Sequence, residues 1–381
     1  MGKPIAKVFT GQRRVGKSFM LYQIMKLILD KEPEANIIYI NKEDMSFDDI
    51  NTASELYDYI RVNSSDERAN YIFIDEIQEI TNFEKAIRSL LLNDKNDIYL
   101  TGSNAKLLSG ELATLLAGRT IEINIYSLSY SEFLNFHKIT DNQQSLEKYF
   151  KYGGLPYLIN LKPEDAVVFE YLKNIYSTIV FRDVVARYNL RNINFLEKLL
   201  YFLADNIGSI FSAKRISDFL KSQHVNIAHN QVQTYTDYLV NAFLIHKVRR
   251  YDLKGKRIFE TGEKFYYENT GLRNAVSGYR PGDKAKLLEN IVYNQLLFKG
   301  YDVKVGWLDT QEIDFVATKD NETLYIQVAL QIDTNKAFER EFGNLLKIKD
   351  NYPKKVITMQ KQEINTYKGV ELISVRDFLM N

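Results

Sequence analysis

Residues 11–18 place two glycines, a lysine and a serine at the spacing G-x-x-x-x-G-K-S. Glycines here let backbone N–H groups face phosphate oxygens, the lysine reaches the β- and γ-phosphates, and the hydroxyl binds Mg²⁺. The spacing predicts a phosphate-binding loop for ATP and Mg²⁺, against the alternative of an ordinary glycine turn. The predicted nucleotide contacts are Gly11, Gln12, Arg13, Arg14, Val15, Gly16, Lys17, Ser18 and Phe19, with Ser18 also a magnesium ligand.

A second chemical signal is the acid pair Asp75-Glu76, which follows the apolar run 71–74. Such a run is typical of a buried parallel strand, and the carboxyl ends of these strands line the ligand crevice of α/β sheets. We expect Asp75 to bind the metal ion and Glu76 to be the base that orients the attacking water. The alternative is an acidic strand cap.

The elements that must position these residues are short strands alternating with helical patterns. This alternation predicts an α/β fold with a parallel sheet. Strands are predicted at 5–10, 36–40, 71–74, 97–101 and 120–125, and an amphipathic helix at 19–29.

Polar residues after the later strands add to the site. Asn104 is expected to sense the γ-phosphate; alternatively, Ser103 or Asn104 caps a helix. The acid pair, Asn104 and Gly118-Arg119 together resemble AAA+ type P-loop ATPases. The resemblance implies that Arg119 is an arginine finger that contacts a neighbouring subunit's nucleotide. The alternative is a salt bridge at the start of strand 120–125.

The resemblance extends over nearly the whole chain to a large group of prokaryotic AAA+ type ATPases. Members of that group usually carry a segment before the first strand, whereas here the strand starts at once, so we expect an incomplete adenine pocket. The motifs that carry the resemblance lie at 107–109, 111–113, 117–119, 127–129 and 132–133.

Composition limits the class of protein. The 381 residues predict two or three domains, and 45% hydrophobic with 26% charged residues is typical of a chain with a buried core. With 50 basic and 49 acidic residues, nucleic-acid binding requires a local patch. The absence of cysteine excludes disulfides and thiolate sites. No apolar run reaches the roughly 18 residues of a membrane helix. We therefore expect a cytoplasmic protein without a membrane partner.

Four domains are predicted: an AAA+ P-loop ATPase core at 1–139, a helical lid at 140–193, a winged-helix domain at 194–280 and a degenerate restriction-endonuclease-like domain at 281–381. In the lid, Gly154 and Pro156 are expected in a tight turn. They also resemble the glycine-proline element by which lids of related ATPases contact adenine.

The winged-helix prediction depends on three helical patterns followed by a hairpin, a layout whose third helix can enter a DNA groove. The hairpin 247–257 has six basic residues against one acid. These residues are expected to contact DNA phosphates. The alternatives are a solvated edge protected against aggregation, or a protein-docking surface. The predicted DNA contacts are Arg249, Arg250, Lys254, Lys256 and Arg257.

From residue 287, the order α-β-β-β-α-β resembles restriction-endonuclease-like nucleases. Their chemistry needs a helix acid, an acid on the second strand and an acid-x-lysine on the third. Glu289 and Asp314 match the first two positions, but the third reads Gln327-Val328-Ala329. The glutamine can still bind a metal and Lys304 or Lys336 can replace the lysine, yet the alanine cannot orient water. We expect no cleavage; alternatively, Glu289 and Asp314 are a polar pair bonded to backbone.

The sequence therefore indicates an ATP-binding and ATP-hydrolysing AAA+ type switch or motor. It is expected to act on DNA and to assemble with itself in the ATP state. One alternative is a low-turnover regulatory switch that docks a protein partner. The other is an ATP-driven, metal-dependent nuclease.

Overall fold

The computed structural model describes residues 5–105, 114–116, 118–225, 227–359 and 365–381. The motif residues 107–113 and 117, and the side chains of Arg257 and Lys336, lie outside the described part. The chain divides into two compact units, Met1–Tyr126 with Asn241–Phe243, and Ser127–Val240 with Leu244–Asn381. Within the described ranges, no helix has both the length and the apolar character that crossing a membrane requires.

The first unit contains a five-stranded sheet in which every paired strand is parallel, as the alternating pattern predicted. The strand order is β2-β3-β4-β1-β5, so β1 lies between two strands that come much later in the chain. The strands are β1 Ala6–Thr10, β2 Asn36–Asn41, β3 Asn70–Asp75, β4 Asn96–Gly102 and β5 Thr120–Asn124.

Three α-helices belong to this unit: α1 Lys17–Lys31, α2 Ala53–Asn63 and α3 Phe83–Leu90. Because successive strand residues point to opposite faces, β3 contributes to two cores. Ile72 and Ile74 lie in one core cluster, whereas Phe73 packs in the other, where its ring stacks on that of Tyr99. Burial on both faces explains the continuous apolar run that ends in the acid pair.

The second unit begins with helices. Residues 179–186 continue helix α6 as a π-helix that contains Arg182-Asp183. The helices are α4 Tyr130–His137, α5 Gln143–Tyr152, α6 Asp165–Thr178, α7 Ile193–Asp205, α8 Ala213–Ser222, α9 His229–Asn241 and α10 Thr270–Ser277.

A mixed eight-stranded sheet occupies the rest of this unit, in the order β12-β13-β11-β10-β9-β8-β6-β7. Its strands are β6 Ile245–Asp252, β7 Arg257–Tyr267, β8 Asp302–Leu308, β9 Gln311–Lys319, β10 Glu322–Ala329, β11 Lys354–Thr358, β12 Thr366–Tyr367 and β13 Val370–Ser374. Helices α11 Lys284–Phe298, α12 Asn335–Leu346 and α13 Val375–Met380 complete the unit.

The hairpin of the predicted winged helix is part of this sheet. Strand β6 pairs in parallel with β8, with Arg250 opposite Val305 and Asp252 opposite Trp307. The predicted domain boundary at 280 therefore falls within elements that share one sheet, and the four-domain division stays a prediction.

Candidate nucleotide-binding site

The phosphate-binding loop joins the carboxyl end of β1 to the amino end of α1. A Cβ at Gly11 would lie 2.1 Å from the Ile125 carbonyl oxygen, so only glycine fits. Gly16 caps α1 with a φ of 103°, a conformation that favours glycine. Because α1 begins at Lys17, its free N–H groups and the positive end of its dipole face the loop. This geometry suits phosphate oxygens.

Lys17 lies across the loop. Its Nζ donates to the carbonyl oxygens of Gly11 at 3.1 Å and Gln12 at 3.0 Å. The same nitrogen is 4.0 Å from Glu76 Oε1. The ammonium is therefore positioned between the loop and the acid pair, where a triphosphate would need positive charge.

Thr101, at the end of β4, fixes both acids at the end of β3. Its hydroxyl donates to Asp75 Oδ1 and accepts from the backbone N–H of Glu76 at 3.0 Å. A hydroxyl has one proton to give, so this arrangement uses its donor and acceptor together. Glu76 has left-handed backbone angles, φ 57° and ψ 50°, which cost a non-glycine residue about 1–3 kcal/mol.

Two side chains donate hydrogen bonds to the Glu76 carboxylate. Ser103 Oγ donates to Oε2 at 3.1 Å, and Gln78 Nε2 donates to the same oxygen. Burial opposes ionisation of Glu76, but the charges and hydrogen bonds of Lys17, Gln78, Arg13 and Ser103 lower its pKa overall. Glu76 is thus held as an ionised carboxylate, the form that a base requires.

Asp75 is surrounded by hydroxyl donors. Burial raises its pKa, and the hydrogen bonds from Ser18 and Thr101 act in the opposite direction. The Tyr39 hydroxyl is 3.5 Å from Asp75 Oδ2. A serine hydroxyl at the helix start, paired with a carboxylate, is the donor set that Mg²⁺ takes in P-loop sites, so these residues fit the ion.

The other predicted nucleotide contacts lie in different environments. Gln12 Nε2 donates to the carbonyl oxygen of Phe243 at 2.8 Å, within the same unit. Arg13 Nη1 is 3.0 Å from Glu43 Oε1. Val15 is buried, whereas Arg14 and Phe19 are exposed.

Asn104 is buried after β4, but the contact with Glu76 is made by Ser103, one residue earlier. Sequence reasoning named Ser103 only as a possible helix cap, and it missed Thr101 and Gln78. The position of these residues in the chain could have identified them. All three adjoin the carboxyl ends of β3 and β4, which are neighbours in the sheet.

Arg119 lies at the amino end of β5, beside Ala6 at the start of β1. The phosphate-binding loop leaves the other end of β1, after Thr10. Four residue steps of about 3.3 Å separate these two edges. Arg119 is exposed, and its Nη1 is 3.5 Å from the Leu91 carbonyl oxygen.

In the second unit, Gly154 and Pro156 lie where helix α5 leads into a short 3₁₀ helix. The Gly154 carbonyl oxygen accepts from Leu128 N at 2.8 Å, and a Cβ on Gly154 would lie 2.2 Å from the Leu128 oxygen. Pro156 begins the 3₁₀ helix Pro156–Asn160. Their contact with adenine stays a prediction.

The predicted DNA contacts lie on β6, on the turn that follows it and at Arg257, the first residue of β7. Arg250 stacks its guanidinium 4.0 Å from the centre of the Trp307 ring. Lys254 Nζ is 2.5 Å from Asp309 Oδ1. The exposed members are Arg249, Lys254 and Lys256.

The three residues of the predicted nuclease motif converge in the second unit. Asp314 N donates to Gln327 Oε1 at 2.7 Å, and Asp314 Oδ2 accepts from Val328 N at 2.8 Å. Glu289 Oε1 accepts from the Tyr266 hydroxyl at 2.5 Å. Burial, with the nearby charge of Glu289, raises the pKa of Asp314.

A lysine outside the motif lies at the centre of this cluster. Lys264 Nζ, from β7, is 2.7 Å from Glu289 Oε1, 2.6 Å from Glu312 Oε1 and 3.7 Å from Asp314 Oδ1. Its side chain is 2% exposed. Burial alone would lower the pKa of Lys264, but the three carboxylates raise it overall.

Sequence reasoning sought the missing lysine at Lys304 or Lys336. Lys304 instead pairs with Asp302 on its own strand. The signal for Lys264 was its place directly before three buried aromatic residues, Phe265, Tyr266 and Tyr267, because a charged residue in such a run is usually paired. Among the described residues, no set of three or more histidine, aspartate or glutamate side chains is arranged to hold a metal ion.

Comparison with protein families matches residues 3–134 to a family described as an AAA domain, and residues 143–283 to a domain of unknown function, DUF8612. An uncharacterized protein of Haemophilus influenzae is 39% identical, with the match covering 98% of this chain and 94% of that protein. The uncharacterized protein MJ1544 of Methanocaldococcus jannaschii is 32% identical, over 97% of this chain and 84% of that protein.

Solved structures show more distant likeness. The Walker-type ATPase PABY2304 of Pyrococcus abyssi aligns with a TM-score of 0.49 at 15% identity, covering 72% of this chain and 91% of that one. The Aeropyrum pernix ORC1 protein in complex with DNA aligns with a TM-score of 0.35 at 11% identity, covering 72% of this chain and 86% of that one.

Proposed function

Because this chain belongs to the same family as the Haemophilus influenzae and Methanocaldococcus jannaschii proteins and its residues 3–134 match an AAA domain, we propose that it binds Mg-ATP and hydrolyses it as a molecular switch. The observation that carries the proposal is the arrangement around Glu76. The acid is held ionised between Lys17 and Ser103, at the carboxyl end of a strand next to the phosphate-binding loop.

The loop residues bind and orient the triphosphate. Backbone N–H groups at the start of α1 face the phosphates, and Lys17 exchanges its bonds to Gly11 and Gln12 for phosphate oxygens. Ser18 and Asp75 would hold Mg²⁺, which neutralises charge on the β- and γ-phosphates when bound. The exchange keeps the Lys17 ammonium hydrogen-bonded in both states.

Glu76 is the proposed base for the attacking water. Its carboxylate accepts a proton from the water that attacks the γ-phosphate, and the geometry comes from Thr101 through the Glu76 N–H. Ser103 and Gln78 hold Glu76 Oε2, so Oε1, the oxygen nearer to Lys17, faces the reacting group. Hydrolysis therefore depends on residues that nucleotide binding does not require.

The binding half of this proposal is tested with Lys17→Ala. A hydrogen bond to a charged group contributes roughly 1.5–3 kcal/mol, so ATP affinity should fall about 10- to 150-fold. Lys26→Ala is the matched control, because Lys26 is an exposed lysine on the same helix. Isothermal titration calorimetry with a non-hydrolysable ATP analogue measures both. Equal affinity in Lys17→Ala and Lys26→Ala would reject the phosphate-binding loop.

The position of Arg119 supports the proposal that the chain assembles with itself in the ATP state. It lies at the edge of the sheet opposite its own loop, so the same chain's nucleotide is out of its reach. An exposed arginine there suits a finger supplied to a neighbouring subunit. We infer that a second copy of the chain completes the site.

DNA is the partner that the basic hairpin favours. Arg249, Lys254 and Lys256 expose positive charge on one hairpin of a chain whose net charge is +1. Phosphate contacts made by such residues release counterions. The competing function is a regulatory switch that docks a protein on this surface, and the partners that Lys254 and Arg250 already have in Asp309 and Trp307 favour it.

Salt dependence separates these two partners. The triple variant Arg249→Glu, Lys254→Glu, Lys256→Glu should weaken binding to a random-sequence DNA duplex and reduce the slope of log affinity against log salt by about one for each lost contact. Fluorescence anisotropy measures the slope. Lys214→Glu, Arg215→Glu, Lys221→Glu on α8 is the charge-matched control, since these three basic side chains are exposed there. Binding that ignores salt and the hairpin substitutions would favour the protein-docking switch.

A further inference from the structure

The nuclease-like order of elements in the second unit implies a divalent ion held by Glu289 and Asp314, with help from Gln327. An ion at this position would be bound by oxygens of these three side chains. A Mg²⁺ ion needs oxygen ligands at about 2.0–2.1 Å and near-octahedral geometry.

Two of the oxygens that would bind the ion already accept hydrogen bonds from the protein. Glu289 Oε1 accepts from both Lys264 Nζ, at 2.7 Å, and the Tyr266 hydroxyl, at 2.5 Å. Gln327 Oε1, the only atom of that amide able to bind a metal, accepts from Asp314 N at 2.7 Å. Its amide nitrogen donates to Glu341 Oε2 at 3.1 Å, which fixes the amide in this orientation.

The point where the carboxylates converge is filled by an ammonium group. Lys264 Nζ contacts Glu289 from α11 and Glu312 from β9, and the Asp314 carboxylate lies 3.7 Å away. Glu312 and Asp314 are two residues apart on one strand and therefore share a face. Three carboxylates from two elements thus surround one buried cation that a third element supplies.

We propose that the ammonium of Lys264 takes the place of the divalent ion that the nuclease-like fold implies, so that the second unit carries its own cation and does not bind Mg²⁺ or Mn²⁺. The implied metal does not fit these residues. Lys264 supplies the positive charge that the metal would supply, and its role is to hold α11 and β9 together. This inference does not rest on ATP hydrolysis.

The test measures Mn²⁺ binding to the full chain without nucleotide. The paramagnetic resonance signal of free Mn²⁺ reports how much of the ion stays unbound. Lys264→Met removes the charge and keeps the length of the side chain. It should bind Mn²⁺ at least about tenfold more tightly than the wild type, and the gain should vanish in Lys264→Met/Asp314→Asn. Lys304→Met, which removes an ammonium paired only on its own strand, is the control and should gain nothing.

Emission from Trp307 is a second readout. Trp307 is the only tryptophan of the chain and lies opposite Glu312 on the neighbouring strand. Mn²⁺ should change its emission in Lys264→Met and leave it unchanged in the wild type. If Lys264→Met does not fold, Lys264→Met/Glu312→Gln removes one positive and one negative charge together, keeps Glu289 and Asp314, and should also bind Mn²⁺ more tightly than the wild type.

Two results would overturn the proposal. The first is Mn²⁺ binding by the wild type that Asp314→Asn abolishes. The second is a folded Lys264→Met or Lys264→Met/Glu312→Gln protein that binds Mn²⁺ no better than Lys304→Met.

Discussion

At the scale of single residues, Thr101 connects the two acids of the nucleotide site. It is a positioning residue, because it touches Asp75 and the backbone of Glu76 and is not expected to touch ATP. Its hydroxyl can serve both partners only in this orientation. The strained backbone of Glu76 therefore depends on a side chain from the neighbouring strand.

Thr101→Val keeps the shape of the side chain and removes the hydroxyl. Losing hydrogen bonds of roughly 1.5–3 kcal/mol should lower ATP turnover about 10- to 150-fold, with a much smaller change in ATP affinity. Thr101→Ser should restore most of the turnover. Steady-state phosphate release and calorimetry measure the two effects. If Thr101→Val lowers affinity and turnover equally, or Thr101→Ser fails to rescue, the positioning role is wrong.

Ser103 and Asn104 are neighbours with different expected roles. Ser103 Oγ donates to the Glu76 carboxylate, so we expect Ser103 to affect ATP turnover through the proposed base. Ser103→Ala should therefore lower turnover by about tenfold or more, on the basis of roughly 1.5–3 kcal/mol for a bond to a charged group. We expect Asn104→Ala to lower it less, measured by phosphate release per folded molecule. If Asn104→Ala lowers turnover more than Ser103→Ala does, the role of γ-phosphate sensor belongs to Asn104.

The sequence predicts those site residues whose proposed roles follow from contiguous motifs. Lys17, Ser18, Asp75 and Glu76 are identified because the chain itself brings each motif together. Thr101 and Lys264 could not be identified in this way, because their partners lie on other elements. Contacts between strands that are distant in the chain carry no local pattern.

At the scale of elements, periodicity predicted most helices and strands to within a few residues. The helix predicted at 19–29 is observed at Lys17–Lys31, and the five parallel strands all exist. Strands β12 and β13 and helix α13 were not predicted, since they are only two to six residues long. The joining of β6 to β8 was missed for another reason, because two helices separate them in the chain.

The packing of α10 depends on a buried ion pair. Arg273 is fully buried, and its Nη2 is 2.6 Å from Asp283 Oδ2. Removing one partner of a buried pair costs roughly 3–5 kcal/mol, so Asp283→Ala should lower the free energy of unfolding by that amount. The nearby exposed pair of Arg280 and Asp205 gives the control, and Asp205→Ala should cost less than about 1 kcal/mol.

Chemical denaturation measures both variants. Equal small losses would show that Arg273 is satisfied by its other partners. Those partners are the carbonyl oxygen of Ala204, at 2.7 Å, and the side-chain oxygen of Asn274, at 3.1 Å.

Helix α13 is tied to the connection between α4 and α5 by a pH-sensitive pair. Arg376 Nε and Nη2 donate to the two carboxylate oxygens of Asp141 at 2.9 and 2.7 Å. The Arg376 hydrogen bond, helped by Tyr130, holds the pKa of Asp141 below its usual range. A lowered folded pKa gives stability at neutral pH that is lost as pH falls through that pKa.

Asp141→Asn should therefore reduce stability at pH 7 and flatten its fall in acid. Thermal unfolding between pH 3 and pH 7, roughly the range in which carboxylates titrate, measures the difference. Asp333→Asn, at an exposed aspartate of the same unit, should leave the wild-type profile intact. An Asp141→Asn profile parallel to the wild type would exclude a contribution from this pair.

At the scale of the whole molecule, the proposed role of Arg119 as an arginine finger predicts that activity depends on assembly. Arg119→Ala retains Glu76 and lacks the finger, whereas Glu76→Gln retains the finger and lacks the base. Mixing the two inactive proteins should restore part of the turnover, because some interfaces then combine both intact residues. Assembly is followed by light scattering with ATP. An inactive mixture of variants that still assemble would show that Arg119 has no role in trans.

The central claim is that Glu76 activates water for ATP hydrolysis in a site that binds nucleotide without it. Phosphate release under saturating ATP, in the wild type and in Glu76→Gln, tests this claim most directly. We expect Mg²⁺-dependent release by the wild type and a loss of about 10²- to 10⁴-fold in Glu76→Gln, the usual contribution of a general base. ATP affinity should be nearly unchanged. Glu76→Gln turnover equal to the wild type, or a wild type that binds ATP and never releases phosphate, would contradict the account.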